Sequence, residues 1–534
     1  MIGVTRTACD EGVILGSPRT AGCAENTKRW VLAATILGSS MAFIDGSVVS
    51  IALPAMQADL NTSFLGAQWI VNAYMLMLGA LMLVGGAAGD RYGRRSMFAL
   101  GALIFTIASI VCGLAPNVTA LISARALQGL GGALMVPGSL AIISATFPQG
   151  ERGRAVGTWA GFSAITTALG PVLGGWLVDA SSWRTIFFVN VPLGVVTLAL
   201  VLWRVPESRD EANQAAVDCR GGVLAAAGLG ALAYGLTNAS AAGATRPVVL
   251  ASVVAGVALL MGFLGWQKHA PAPMMPLELF RSRPFSGANA VTFLLYFALG
   301  GALFFVPFNL IGIQGFSATG AGAAFLPFTL IMGILSRWSG ALTDRYGMRA
   351  PLTVGPVIVA GGFILLAVPD VAQSYWTSYF PAMVVLGLGM AVTVAPLTTA
   401  VMESAGDRHS GVASAINNAT ARIAGMVAVA VLGALAVGVF RETLVEQLAE
   451  ARVPVELREG VLAEASKLAE AKVPAGSAED DRAILTQILR ESFLHSFRIV
   501  MLLMAAMALA GAVCGWWTMP AATRRRAEAP SVRR

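Results

Sequence analysis

Residues 86–95 read GAAGDRYGRR and residues 340–349 read GALTDRYGMR. They share the pattern G-x-x-x-D-R-Y-G-x-R, and each stands where a long apolar run gives way to charge. Outward from these two copies, nearly the whole chain is built of such runs. We count fourteen, at roughly 30–53, 67–88, 97–115, 118–140, 154–178, 184–203, 219–238, 247–267, 286–310, 318–341, 351–369, 376–401, 411–438 and 497–519. A helix of about 20 apolar residues crosses a bilayer. The copies follow the second and tenth runs, so eight crossings separate them and both lie on one side. The repeat is therefore parallel, with two bundles related by an axis along the membrane normal. Eight crossings rather than six leave the seventh and eighth runs as an insertion.

The expected fold is an all-α membrane protein of two six-helix bundles plus two inserted helices. Residues 1–29 form an N-terminal tail, 30–203 the first bundle and 204–285 the inserted pair. Residues 286–519 form the second bundle, with a long loop at 439–496, and 520–534 a basic tail. Composition agrees. Of 534 residues 56% are hydrophobic and 12% charged, against about 25% charged in soluble proteins. The run from Trp30 is long enough to stay in the membrane rather than be cleaved as a signal peptide. Five scattered cysteines with no C-x-x-C pair indicate neither a disulfide framework nor a metal site.

Loop charge sets orientation, because Lys and Arg accumulate in cytoplasmic loops. With the N-terminus inside, the inner short loops hold Arg91, Arg94, Arg95, Arg152, Arg154, Arg204, Arg209, Arg220, Lys268, Arg281, Arg283, Arg345, Arg349 and Arg408. The outer short loops hold Arg184 and Arg246. Both termini are expected in the cytoplasm, and the net charge of +7 reflects topology rather than nucleic-acid binding. The 439–496 loop is long enough to translocate regardless of charge. Val-Pro at 453–454 and at 473–474 divides it into amphipathic helices that cap the outer face.

The repeated loop has a physical logic. Gly86 permits close helix approach, and Gly93 permits a tight turn. Asp90 and Asp344 stand at the interface, and Arg91, Arg94, Arg95 and Arg345 beside them can pair with carboxylates or helix carbonyls. Such a latch between bundles can be broken and remade. The plain alternative, a basic loop that only sets orientation, does not explain the same pattern at matched positions.

Taken with GDRYGRR, several pieces resemble the major facilitator superfamily, and in particular its fourteen-span drug:proton antiporter branch. FIDGSVVSIALP (43–54) resembles the branch's first-helix motif, and SARALQGLGGAL (123–134) the fourth-helix motif with its buried arginine, Arg125. GFSAITTALGPVLGGWL (161–177) is similar to the fifth-helix antiporter motif through Gly161, Gly170, Pro171, Gly174 and Gly175. WRTIFFVNVPLG (183–194) and NNATARIAG (417–425) also fit. The second loop copy departs from the first at Met348. The resemblance implies export of drugs, antibiotics or similar lipophilic molecules by alternating access, in exchange for protons and with no cofactor. The partners are then a small-molecule substrate, protons and the bilayer, and a monomer suffices.

Asp45 is the one charge in its apolar run, and an intramembrane charge is functional by default. At 1.5 Å per residue, Asp45 and Arg125 both lie roughly 10–12 Å below the outer surface. Burial favours the protonated form of a carboxylate and a nearby arginine favours the charged form. An acid between the two is a candidate proton-coupling group, with a static ion pair as the alternative. Arg422, Asn417, Asn418 and Gln128 are candidates for the substrate cavity; the aromatics Trp69, Trp159, Phe162, Phe293 and Tyr296 suit the cavity or, at least as well, a lipid-facing or interfacial place. Arg337 suits snorkelling or structural pairing. No acid lies within the ninth to fourteenth runs, so neutral, monocationic or zwitterionic cargo is expected. An ATP-driven pump would need G-x-x-x-x-G-K-[ST], which is absent. The three histidines fall outside the runs, which leaves no enzyme site. A dedicated exporter of an endogenous metabolite or lipid is the runner-up, and a non-transporting sensor a further alternative.

Overall fold

Backbone amides in hydrocarbon have no water to bond, so a chain of apolar runs must satisfy them internally as helices. The computed structural model describes residues 25–209, 217–242, 246–371, 373–406, 410–451, 453–474 and 477–521. Among them there is no strand. Fourteen helices are long and apolar enough to cross a membrane: Thr27–Asp59, Phe64–Tyr92, Arg94–Gly113, Val118–Thr146, Gly150–Ala180, Thr185–Arg204, Cys219–Ala239, Pro247–His269, Arg283–Ile313, Ala318–Leu335, Arg349–Ala367, Tyr375–Ala405, Gly411–Glu450 and Glu479–Thr518. We call them the first to fourteenth spans. They coincide in number and order with the apolar runs. An even number of crossings leaves both ends of the chain on one side, here termed the basic face, opposite a cap face. The chain is a multi-pass membrane protein.

The helices of the first six spans close on one another through small residues. A Cβ built on Gly131 of the fourth span would lie 2.6 Å from the Phe105 nitrogen of the third. The seventh and eighth spans pair through Gly228, Gly235 and Gly256 and lean on the rest through Leu229 and Ala233, which pack with Ala80 and Met426. Their basic-face ends are tied by Asp218. It accepts from Trp266 Nε1 at 2.7 Å, Gln267 Nε2 at 2.5 Å and Gly221 N at 2.8 Å. Burial acts to raise the Asp218 carboxyl, but these donors outweigh it and hold it below the usual carboxylate range.

The 439–496 segment differs from the expected loop. The thirteenth span continues as helix to Glu450 and the fourteenth begins at Glu479, so a separate cap is confined to 451–478. The physical reason is an apolar stripe: Leu444, Leu448, Leu485 and Leu489 are buried in the main core and keep their helices winding. Pro454 and Pro474 stand at the breaks, as expected. The cap is seated on the first span by Gln57, whose Nε2 donates to the Lys467 carbonyl at 3.0 Å.

Overpacking at a close helix crossing costs about 1–3 kcal/mol. Gly131→Ala is therefore expected to lower the melting temperature in detergent. Gly262→Ala in the eighth span, where a Cβ meets nothing within 4 Å, is expected to leave it unchanged.

Candidate functional site

The structure brings Asp45 and Arg125 together inside the first six spans. Arg125 Nη1 donates to Asp45 Oδ2 at 2.5 Å, with the two residues 1% and 3% exposed. Further polar groups close around them. Gln128 Nε2 donates to Asp45 Oδ1 at 2.8 Å and to Ser109 Oγ at 2.9 Å. Arg125 Nη1 also reaches Gln128 Oε1 at 2.7 Å, and its Nε reaches the Ile70 carbonyl at 3.1 Å. The guanidinium lies 4.3 Å over the Tyr74 ring. Asn190 Nδ2 approaches Asp45 Oδ1 at 3.5 Å, and the Cys112 thiol approaches Gln128 Oε1 at 3.7 Å. Gln128 is thus a ligand of the charge pair, wholly buried, and not a cavity residue as expected. Its position three residues after Arg125 on one helix face was the available signal. Ser109, Asn190, Tyr74 and Cys112 carry no such signal, because they come from other runs.

Two seams flank this cluster on the cap-face side. In the fifth span, Gly170 and Gly174 let Ser47 and Val48 of the first span approach, one turn from Asp45. On the adjoining face, Gly175 abuts the Ala318 carbonyl and the Pro171 carbonyl abuts Gly322 of the tenth span. The helix runs unbroken through Pro171. Asp179 closes the end of this seam, accepting from Ala318 N at 3.1 Å, Thr319 N at 2.8 Å and Thr319 Oγ1 at 2.6 Å. In the second seam, Gln68 Nε2 of the second span donates to the Val429 carbonyl of the thirteenth at 2.5 Å. Met75 lies 3.4 Å from a Cβ built on Gly425, and Arg422 and Ile423 meet Gly79. Phe64 plugs the cap face against Phe304, Phe305 and Phe308, with ring centroids 5.3–5.6 Å apart.

Toward the basic face the fifth and tenth spans part. Gly157 and Gly161 lie on the same face as Pro171 and Gly175, about four turns earlier, yet a Cβ at either would meet nothing within 4 Å. Gly161 therefore belongs to the cleft, whereas the other four motif residues make close packing. Phe162 and Ile165 are exposed, as are Leu330 and Ile334 of the tenth span. Arg422 is half-buried where the second seam ends. Asn417 Nδ2 donates to Thr292 Oγ1 at 2.6 Å, and Asn418 is exposed. Trp69 packs at a tilt against Tyr234 of the inserted pair, with ring centroids 6.3 Å apart. Trp159 is tied to Ser39 at 3.0 Å.

The repeated loops sit on the basic face. Gly93 has φ +113°, which favours glycine. Asp90 Oδ1 bonds Arg94 within its own turn at 2.9 Å. Glu207, a residue the sequence did not single out, accepts from Arg95 N at 3.0 Å and from the Ser96 backbone and hydroxyl, capping the third span. Gly86 faces Pro137 at 3.7 Å, and Arg91 lies over Tyr92. Asp90, Arg94 and Arg95 of this copy therefore bond within the first half. In the second copy Gly347 has φ +72° and Arg345 lies over Tyr346. The side chains of Asp344 and Arg337 lie outside the described residues.

A sealed intramembrane acid–base pair beside a cleft open to one face defines a helical membrane transporter. The profile of the Major Facilitator Superfamily matches residues 35–429, and the chain belongs to that family. It is 33% identical over 500 residues to the tetracenomycin C resistance and export protein of Streptomyces glaucescens, covering 93% of this chain and 92% of that protein. It is 33% identical over 508 residues to the multidrug resistance protein Stp of Mycobacterium tuberculosis, covering 92% of each. Among solved structures, an inward-facing, unoccupied bacterial homologue of the human lysosomal transporter Spinster shares the fold. Its TM-score is 0.62 at 16% identity, over 93% of this chain and 99% of that one.

Breaking a buried pair by removing one partner costs about 3–5 kcal/mol. Asp45→Asn is expected to lower thermal stability accordingly, and Asp45→Asn/Arg125→Gln to recover most of the loss. At the cap face, Asp179→Asn removes acceptors that bridge the two halves. Spin-label distances between the ends of the fifth and tenth spans are expected to gain a longer population.

Proposed function

We propose that this chain exports drugs, antibiotics or similar lipophilic small molecules across the cell membrane, exchanging them for protons by alternating access. Both termini then lie in the cytoplasm, the described cleft is the cytoplasmic mouth, and one chain suffices. The observation that carries the reading is the Asp45–Arg125 pair, sealed from solvent and placed between the two seams. Export function itself is supported by relatives that match nearly end to end.

The residues suggest how a proton does work. With Asp45 charged, Arg125 is held between Asp45, Gln128 and Ile70. When the carboxyl takes a proton, the charge attraction is lost, but Arg125 keeps the Gln128 oxygen, the Ile70 carbonyl and the Tyr74 ring. The buried cation is thus never wholly unpartnered, which keeps the cost of switching low. Ile70 and Tyr74 belong to the second span, whose other face carries Gln68, Met75 and Gly79 against the thirteenth. A shift of Arg125 is felt by the helix that closes one seam. Ser47 and Val48, beside Asp45, touch the fifth span, which closes the other. Protonation at one carboxyl therefore bears on both seams without contact between proton and cargo.

Flux into liposomes with and without an imposed pH difference tests this. Wild-type protein is expected to move substrate at least about tenfold faster with the gradient, and Asp45→Asn/Arg125→Gln to fold but lose the response. Equal flux at no pH difference removes proton coupling from the account.

A further inference from the structure

The seam between the second and thirteenth spans ends in a cation with no counter-charge among the described residues. Arg422 lies about three turns in from the basic-face end of the thirteenth span. Its Cβ is 3.3 Å from a Cβ built on Gly79, at the end of the packed seam. The side chain is half-buried. Among the described residues its guanidinium has no hydrogen-bond or ion-pair partner. Arg125, the other deep arginine, is closed by a carboxylate, an amide, a carbonyl and a ring. Arg422 has none of these.

A neutral donor stands beside it. Tyr296 of the ninth span is half-buried, and its hydroxyl has no partner among the described residues. It lies one turn after Thr292, which accepts from Asn417, and one turn before Gly300, which abuts Gly425, so it shares the stretch of helix contact in which Arg422 stands. The Tyr74 hydroxyl is already committed to the Ala42 carbonyl at 3.3 Å. Phe293, one turn before Tyr296, and Met75 supply apolar surface on either side. Asp45, the acid deepest in the spans, is consumed by Arg125.

A guanidinium in hydrocarbon is costly unless an opposite charge or acceptor reaches it. Among the described residues no carboxylate or other acceptor bonds that of Arg422. We propose that Arg422 and Tyr296 determine specificity by binding an acidic lipophilic substrate, a carboxylate or delocalised oxyanion on an apolar body. A planar guanidinium accepts such a group through two parallel bonds, and the phenol adds a third. This rests on the export reading and narrows it. The shortage of acids that pointed to neutral, monocationic or zwitterionic cargo leaves this cation unopposed, and an unopposed cation favours an anion.

The test is binding to the purified full chain in nanodiscs, with 1-pyrenebutyrate and its methyl ester as probes. Wild-type protein is expected to bind the carboxylate at least about tenfold tighter than the ester, as charge-assisted bonds allow. Arg422→Gln lowers carboxylate affinity to that of the ester and leaves the ester and the melting temperature unchanged. Arg422→Lys keeps part of the preference, and Tyr296→Phe reduces it about threefold. Equal binding of acid and ester by wild type, binding of neither, or an undiminished preference in Arg422→Gln overturns the proposal. Binding needs no gradient, so a chain that prefers the acid yet transports nothing refutes the export reading and leaves this one standing.

Discussion

A carboxylate and a guanidinium taken out of water together must answer each other, because each alone costs several kcal/mol. That constraint organises the first half of this protein. Asp45 and Arg125 neutralise one another, but their remaining lone pairs and protons also need partners. The third span supplies Ser109, the fourth Gln128, the second the Ile70 carbonyl and the sixth Asn190. Five helices are therefore registered on one ion pair. The apolar packing around them would tolerate some sliding; the polar cluster does not, since a shift of one residue strands a buried donor.

The seams between the halves obey a different economy. In a bilayer, lipid tails compete equally with apolar side chains, so helices associate through close packing and polar bonds. The fifth and tenth spans meet backbone to backbone at Gly175 and Gly322, and in the second seam the Gln68 side chain lies on Gly433. Where backbones meet directly, at the fifth and tenth spans, separation leaves little to repack. Phe64 among three phenylalanines and Asp179 on the start of the tenth span hold the cap face shut. The basic face has no equivalent at Gly157 and Gly161. The asymmetry between faces is thus written in where small residues find a partner backbone.

Much of the fold was legible. The fourteen runs and the parallel repeat depend on length and spacing, which a sequence displays directly. Equal depth for Asp45 and Arg125 followed from helix rise, but facing did not, because rotation about a helix axis is set by neighbours in other runs. For that reason Gln128 was misplaced in the cavity, and Ser109 and Asn190 went unnoticed. Glu207 escaped notice because its role, capping the third span, joins loops more than a hundred residues apart. The 439–496 segment was read as amphipathic helices capping the outer face, but its charges hid that its two flanks continue the thirteenth and fourteenth spans. Leu444, Leu448, Leu485 and Leu489 carried the helical stripe that the structure obeys.

The two halves treat charge in opposite ways, and the second span joins them. Ile70 and Tyr74 hold Arg125, while Gln68, Met75 and Gly79 face the thirteenth span and end at Arg422. One arginine is fully answered within the first half; the other is unanswered at the edge of the second. In the proposed reading, this division lets a single site avoid holding proton and cargo together. The proton acts on the answered charge and moves the helix; the cargo answers the free one and is carried by the same movement. A direct competition for one carboxylate, which suits cationic cargo, would need Asp45 at the cleft wall. At 3% exposure behind Arg125, it is not there, so coupling has to run through the rigid body of the second span rather than through contact.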